Sequence, residues 1–364
     1  MHVNKSIVVI CTGLYTPGGI ERATVSLVNH LSTYGIDVTL LILDKSSESF
    51  YAISPQVRVI TKDLHFGIID SGNPVSRKVQ FVSHILKLKS LLKKVNAATI
   101  ITTDYSHTIA AFFAKTKTTK LLSWEHHHFR WIRKNRFWQI LFNQVYPKVD
   151  TIICLNKTEA KLFHVIGCKT RVIPNFISAK QRTSELERKT LLTIGWLIER
   201  KGIDLVPDIA ELVSKKYADW KWIIIGKGEL YEFLNDALKA KQLENFIEIN
   251  KPSTPDLDNT YLDTSIYVLP SRFECFPMVL LEAQSFGIPC VAFNCPTGPA
   301  DIINNGEDGI LVKPGDVEEM AAAICSLIAD VEKRKKMGEK AHQNVQRFSP
   351  ENILALWQEL INEG

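Results

Sequence analysis

Short apolar runs alternate with amphipathic stretches along nearly the whole 364-residue chain. Ile7–Cys11, Val38–Leu43, Thr99–Thr102, Leu121–Trp124 and Thr151–Leu155 read as buried strands bounded by turns, with helical patterns such as Ile20–Leu31 and Phe81–Leu92 between them. The second half repeats the plan, with strands at Leu191–Ile194, Trp222–Ile225, Phe246–Ile249, Ile266–Leu269, Cys290–Phe293 and Ile310–Val312. Such runs favour parallel sheets covered by helices on both faces. Pro174-Asn175 ends a strand, and Ser178–Lys189 is polar and charged with no apolar period, which is linker composition. Ser349-Pro350-Glu351 opens a last helix with an N-cap and a proline at the first position. Its Ile353, Leu354, Leu356, Trp357 and Leu360 need a surface to pack on. The pattern predicts two α/β domains in tandem, facing each other across a cleft. The expected bounds are 1–178 and 179–347, with a helix at 348–364 returning to the first domain.

Composition agrees with a globular chain: 45% of residues are hydrophobic and 23% charged, so disordered and fibrous classes drop out. The formal charge of +5 hides an asymmetry. Residues 1–180 carry 24 basic and 10 acidic side chains; residues 181–364 carry 20 and 29. A basic half points to an anionic partner. The seven cysteines, at 11, 154, 168, 275, 290, 295 and 325, form no C-x-x-C pair, which speaks against a disulfide framework or a zinc site. No signal-peptide pattern precedes Ile7, and no apolar run approaches ~18 residues, so a cytoplasmic protein without a membrane span is expected.

Five segments carry candidate chemistry. Gly13–Arg22 follows the first strand and opens the first helix. Gly18-Gly19 would let backbone approach a ligand and helix-end amides suit an anion, although a plain β–α turn explains them equally well. The spacing matches neither G-x-G-x-x-G nor a Walker loop. Ser123–Phe129 holds three consecutive histidines, whose side chains diverge and lack partners for a metal. One histidine reaching into a cleft from the carboxyl end of a strand is the better reading. Phe129–Trp138 interleaves Arg130, Arg133, Lys134 and Arg136 with Trp131 and Trp138, and Lys87–Lys94 adds a second basic amphipathic stretch. One such segment is usually an ordinary helix with snorkelling cations; two in a basic domain favour an anionic membrane surface. Arg200-Lys201-Gly202 places cations at the start of an expected helix, where they oppose its dipole unless an anion such as a diphosphate lies between. Ser271–Ala283 contains Glu274 in a loop and Glu282 within the following helix, amid apolar neighbours. Helix-end amides there could hold phosphate while Glu282 accepts hydrogen bonds from a ribose diol.

Glu274-x7-Glu282, Arg200-Lys201-Gly202 and Gly18-Gly19-Ile-Glu21 together closely resemble the retaining nucleotide-sugar glycosyltransferases of family 4. Pro174-Asn175, Gly226-Lys-Gly228, Gly298-Pro-Ala-Asp301 and Asn305-Gly306-Glu-Asp-Gly309 extend the resemblance over nearly the full length. It implies the GT-B fold, two Rossmann-like domains with the C-terminal helix packing back on the first. It also implies that Gly18 and Gly19 approach the donor phosphates, and that His126, with His127 as rival, lies near the transferred sugar. Arg200 and Lys201 would neutralise the departing diphosphate, Glu274 bind sugar hydroxyls, Glu282 the ribose, and Gly226 and the backbone of Phe276, Pro277 and Met278 complete the donor site. One departure stands out: Gly195-Trp196 occupies the place where many members have Gly-Arg.

The reaction so implied moves a hexose or N-acetylhexosamine from a UDP-sugar to a lipid-linked, lipopolysaccharide or capsule glycan, with retention. His126, Glu274, Arg200 and Lys201 would act in catalysis. No metal or other cofactor is expected, and Asp256-Leu-Asp258 is read as a turn rather than a metal motif. Arg130, Trp131, Arg133, Lys134, Arg136 and Trp138 would hold the protein on the inner face of the cytoplasmic membrane. The competing readings are a transferase acting on a small soluble sugar and a non-catalytic nucleotide- or nucleic-acid-binding module.

Overall fold

The computed structural model describes residues 6–44, 48–66, 74–129, 136–178, 180–251 and 256–363, with side chains of 74–78 excepted. The chain divides into two compact units: Met1–Pro174 with Ile353–Gly364, and Asn175–Asn352. Each is built on one all-parallel sheet, as the apolar runs predict.

The first unit holds β1 (Ser6–Cys11), β2 (Asp37–Ile42), β3 (Arg58–Thr61), β4 (Thr99–Thr102), β5 (Lys120–Glu125), β6 (Thr151–Cys154) and β7 (Thr170–Val172). Their spatial order is β3-β2-β1-β4-β5-β6-β7. The inner strands are buried on both faces, which is why they are legible as unbroken apolar runs. Edge strand β3 is mostly exposed and carries no such run. The C-terminal helix Pro350–Asn362 docks on this unit through Ile353, Leu354, Trp357, Leu360 and Ile361, all buried. The Trp357 ring meets Trp124 of β5 edge-on at 5.1 Å, and Lys120 Nζ donates to the Leu360 carbonyl at 2.6 Å. A cation on the last carbonyls suits the negative end of the helix dipole.

The second unit holds β8 (Thr190–Ile194), β9 (Lys221–Ile225), β10 (Ile247–Asn250), β11 (Ile266–Leu269), β12 (Cys290–Phe293) and β13 (Gly309–Val312), in the order β10-β9-β8-β11-β12-β13. The order reverses between β8 and β11, and the loops after those two strands lie side by side. In open α/β sheets this switch point at the carboxyl ends is where ligands bind.

Two expectations need correction here. Residues 180–189 are not a free linker: Ser184 N donates to Phe286 O at 2.8 Å and Ser184 Oγ to Thr264 O at 2.7 Å. Leu186 is buried, and its carbonyl accepts from Arg334 Nη2 at 2.9 Å. The segment is too short for a period to show, yet its few partners pin it to the second unit. Trp138 does not face outward either. It is buried in the helix Arg136–Val145, with its ring 5.5 Å from Phe81 and 5.7 Å from Tyr105, because Trp138, Phe142 and Val145 form that helix's inner face. Among the described residues no helix is long and apolar enough to cross a membrane.

Candidate active site

At the β8/β11 switch point the chain builds a fixed platform. Gly202 adopts a left-handed φ of +67°, and a Cβ there would stand 1.8 Å from Pro270 O, so only glycine lets the two loops meet. Arg272 N donates to Arg200 O at 2.9 Å, and the Arg272 guanidinium forks onto Asp204 with two contacts of 2.6 Å. Thr297 Oγ1, after β12, donates to Glu274 O. Gly298, with φ +96°, packs against the same loop while its N–H donates to Asp301 at 3.1 Å. The Gly298–Asp301 motif thus holds the Glu274 loop, and Asn304–Gly309 is a self-bonded turn in which Asp308 accepts from Asn304 N at 2.8 Å.

On this platform Lys201 Nζ lies 2.6 Å from Glu274 Oε1, with side chains only 20% and 8% exposed. Arg200 is exposed and makes no salt bridge among the described residues. Contrary to the expectation from the sequence, neither cation opens a regular helix. Both sit in a short turn, Glu199–Lys201, closed by Gly202 before the helix Val206–Ser214, so the dipole argument does not apply to them. The side chains of Phe276 and Met278 are buried, and only their backbone remains for a ligand at the start of the helix Met278–Ser285. Ser271 Oγ, at the head of the loop, is buried without a hydrogen-bond partner, the kind of group that a ligand or an ordered water satisfies. Glu282 is 5% exposed and accepts from Tyr261 OH at 2.7 Å. Tyr261 was beyond the reach of sequence reasoning, which offered no periodic signal for it. Gly226 is close-packed: a Cβ there would stand 2.1 Å from Gly195 O.

In the first unit, a pocket of about 110 Å³ is lined by Gly13, Ile20, Glu21, Thr103, Asp104 and His127 among others. Gly18 caps the helix Gly19–Thr33, and the place of its missing Cβ is taken by the Glu21 carboxylate, which also accepts from Thr16 Oγ1 at 2.6 Å. Asp104 caps the helix Tyr105–Ala114, accepting from Ser106 N at 2.8 Å. The three histidines separate. His126 is 8% exposed, its ring packed at a tilt against Trp124 with centroids 4.2 Å apart, and its Nε2 has no partner. Burial first, and the neighbouring His127 second, push its ring down to about 3 from the usual 6.5. His128 Nε2 lies 3.6 Å from the buried carboxylate of Glu159. His127 alone of the three lines the pocket.

Arg130, Trp131, Arg133 and Lys134 lie outside the described residues. Arg136 is exposed. Asp258 is engaged by Lys180 at 2.6 Å, and Asp256 accepts from Asp258 N at 3.0 Å, in keeping with a turn. Among the described residues no group of three or more His, Cys, Asp or Glu is placed to hold a metal ion.

Two family models match: "Glycosyltransferase Family 4" over residues 17–181 and "Glycosyl transferases group 1" over 176–344. The chain is a glycosyltransferase of the GT-B type. It is 28% identical to an uncharacterized glycosyltransferase of Haemophilus influenzae, covering 98% of this chain and 100% of that one. It is 26% identical to the amylovoran biosynthesis glycosyltransferase AmsD of Erwinia amylovora, covering 98% and 99%. Among solved structures, the pneumococcal O-GlcNAc transferase GtfA, in complex with UDP and GlcNAc, superposes with a TM-score of 0.79 at 16% identity, covering 100% and 99%.

The His126 geometry makes a prediction about stability. Its depressed folded value means that the unfolded chain takes up a proton below pH 6.5 that the folded chain refuses, so stability is lost as pH falls from 6.5 towards 3. His126→Phe lacks this loss. Its stability relative to wild type should rise by about 1–2 kcal/mol between pH 7 and pH 5 in urea titrations. A difference that stays constant with pH would show that His126 is not held neutral in the fold.

Proposed function

We propose that this glycosyltransferase moves a hexose or N-acetylhexosamine, with retention, from a UDP-sugar to a lipid-linked, lipopolysaccharide or capsule glycan. The observation that carries the reading is the Lys201–Glu274 pair, fixed beside the start of the helix Met278–Ser285 at the switch point of the second sheet. When a nucleoside diphosphate leaves an anomeric carbon, negative charge gathers on the β-phosphate oxygen. Lys201 and the exposed Arg200 supply positive charge there without reorganising, and helix-end amides add to it. Glu274 holds Lys201 in place until a ligand arrives and offers its carboxylate to sugar hydroxyls. Because the departing phosphate can itself take the proton of the attacking hydroxyl, on the face it is leaving, retention needs no strong protein base. The same cations do what a metal would do, and the Asp256-Leu-Asp258 carboxylates are already committed, so we propose a metal-independent reaction.

Support for the glycan acceptor comes from AmsD, named for amylovoran biosynthesis, and support for UDP from the complex of GtfA. Within the first unit we assign the sugar-facing histidine to His127 instead of His126. Glu21, Asp104 and His127 give the pocket acceptors suited to sugar hydroxyls. The acceptor's membrane would meet the helix Pro74–Val95, whose Val79, Val82 and Leu86 are exposed, together with exposed Phe137 and Ile140 of the helix Arg136–Val145. The two helices touch through Phe81 and Phe137, ring centroids 5.8 Å apart. Exposed Lys87, Lys89, Lys93, Lys94 and Arg136 give this face the charge that anionic headgroups attract.

Two measurements test the reading. With a panel of UDP-glucose, UDP-galactose and UDP-N-acetylglucosamine, wild type should turn over at least one donor, and Lys201→Ala and Glu274→Ala should each lose about 10²–10³-fold in kcat. Equal turnover in all three proteins would remove these residues from the site. In vesicle flotation with anionic lipid, wild type should co-float, and Leu86→Glu/Ile140→Glu should remain in the soluble fraction. If wild type ignores anionic vesicles, the membrane part of the proposal fails.

A further inference from the structure

The cations in the loops at the carboxyl edge of the second sheet differ in what they are bonded to. Arg272 is forked onto Asp204, and Lys201 is paired with Glu274 at 2.6 Å. Both are locally neutralised before any ligand binds. A diphosphate carries at least two negative charges, so further cations are needed to hold it. Arg200 is one candidate; Lys227, two residues past the end of β9, is another that the donor reading leaves unused.

Lys227 is exposed and has no carboxylate partner among the described residues. Its Nζ stands 5.3 Å from the ring centroid of Trp196, just past β8 and, for a tryptophan, unusually open at 37% exposure. The aromatic face attracts the ammonium without neutralising it, so the charge stays available to an anion. The two residues are also held in register. Leu197 N donates to Lys227 O at 2.9 Å, and Leu230 N donates to Leu197 O at 2.9 Å. A Cβ at Gly228 would stand 2.3 Å from Leu197 O, so this chain needs glycine there for the two loops to lie backbone against backbone. Beside Trp196, the position a Cβ would take at Gly195 has no atom within 4 Å, which leaves room for a ligand at the strand end.

We propose that Lys227 is a diphosphate-binding residue of the donor site and that Trp196 is its positioning residue. This rests on the nucleotide-sugar reading above. Lys227 adds a net positive charge that the Lys201–Glu274 pair lacks, and Trp196 limits the rotamers of its long stem, so less ordering is left to be done when the donor binds.

Calorimetric titration of the full-length protein with uridine, UMP and UDP tests this, with GDP and ADP run alongside. Lys227→Ala should bind UDP about tenfold more weakly while uridine binding stays within twofold, because only the phosphates are addressed. Trp196→Ala should weaken UDP by a smaller factor. Lys227→Ala/Trp196→Arg should recover UDP affinity to within threefold of wild type, since residue 196 lies beneath the ammonium it would replace. Equal loss for uridine and UDP in Lys227→Ala would mark a structural role and overturn the proposal. Wild type and Lys227→Ala binding UDP alike would overturn it and leave the donor reading standing. If wild type binds none of the three nucleoside diphosphates, the donor reading fails and this proposal fails with it.

Discussion

Parallel pairing throughout both sheets is the constraint on which the site depends. In a parallel sheet every strand-to-helix loop emerges at the same edge, so residues far apart in sequence become neighbours there without any contact of their own to enforce it. Lys201 and Glu274 meet because β8 and β11 are adjacent, and Trp196 and Lys227 meet because β8 and β9 are. The loops are then drawn together by two features: the left-handed Gly202, which leaves no side chain between its loop and Pro270, and the side-chain fork of Arg272 on Asp204. Substituting either would move the cations while leaving the sheet intact.

The Lys201–Glu274 pair is poorly explained as a device for stability. A largely buried ion pair pays heavily in lost hydration, and apolar residues of similar volume often do as well or better. It is better understood as a charge kept in readiness. The carboxylate holds the ammonium in one place, and on the proposed function an arriving phosphate would meet a cation that needs little reorganisation. On the same reading, this also removes the difficulty that the acidic half of the chain would carry the nucleotide site. Net charge over 184 residues says little about a site where Arg200 and Lys201 stand at one turn.

Much of the fold was legible in the sequence because inner strands of parallel sheets are apolar on both faces. The weak points are where that reason lapses. Edge strand β3 exposes Arg58 and Val59, so it leaves no apolar run. The basic, aromatic stretch before residue 139 does not say which aromatic faces inward, and Trp138 turned out to be core while Phe137 and Ile140 are exposed. The three-histidine run shows the same limit: adjacent side chains diverge, and only the packing on Trp124 and the position of the pocket separate His126 from His127. Tyr261 on Glu282, and Thr297 on the Glu274 loop, are long-range contacts made by residue types with many ordinary uses.

The most direct test of the central claim is hydrogen exchange of the wild-type protein with and without saturating UDP. Slowed exchange is expected in the segments 195–202, 226–230 and 271–282, all at the carboxyl edge of the second sheet. Protection confined to the first unit, or spread evenly over the second unit without a maximum at those loops, would contradict it.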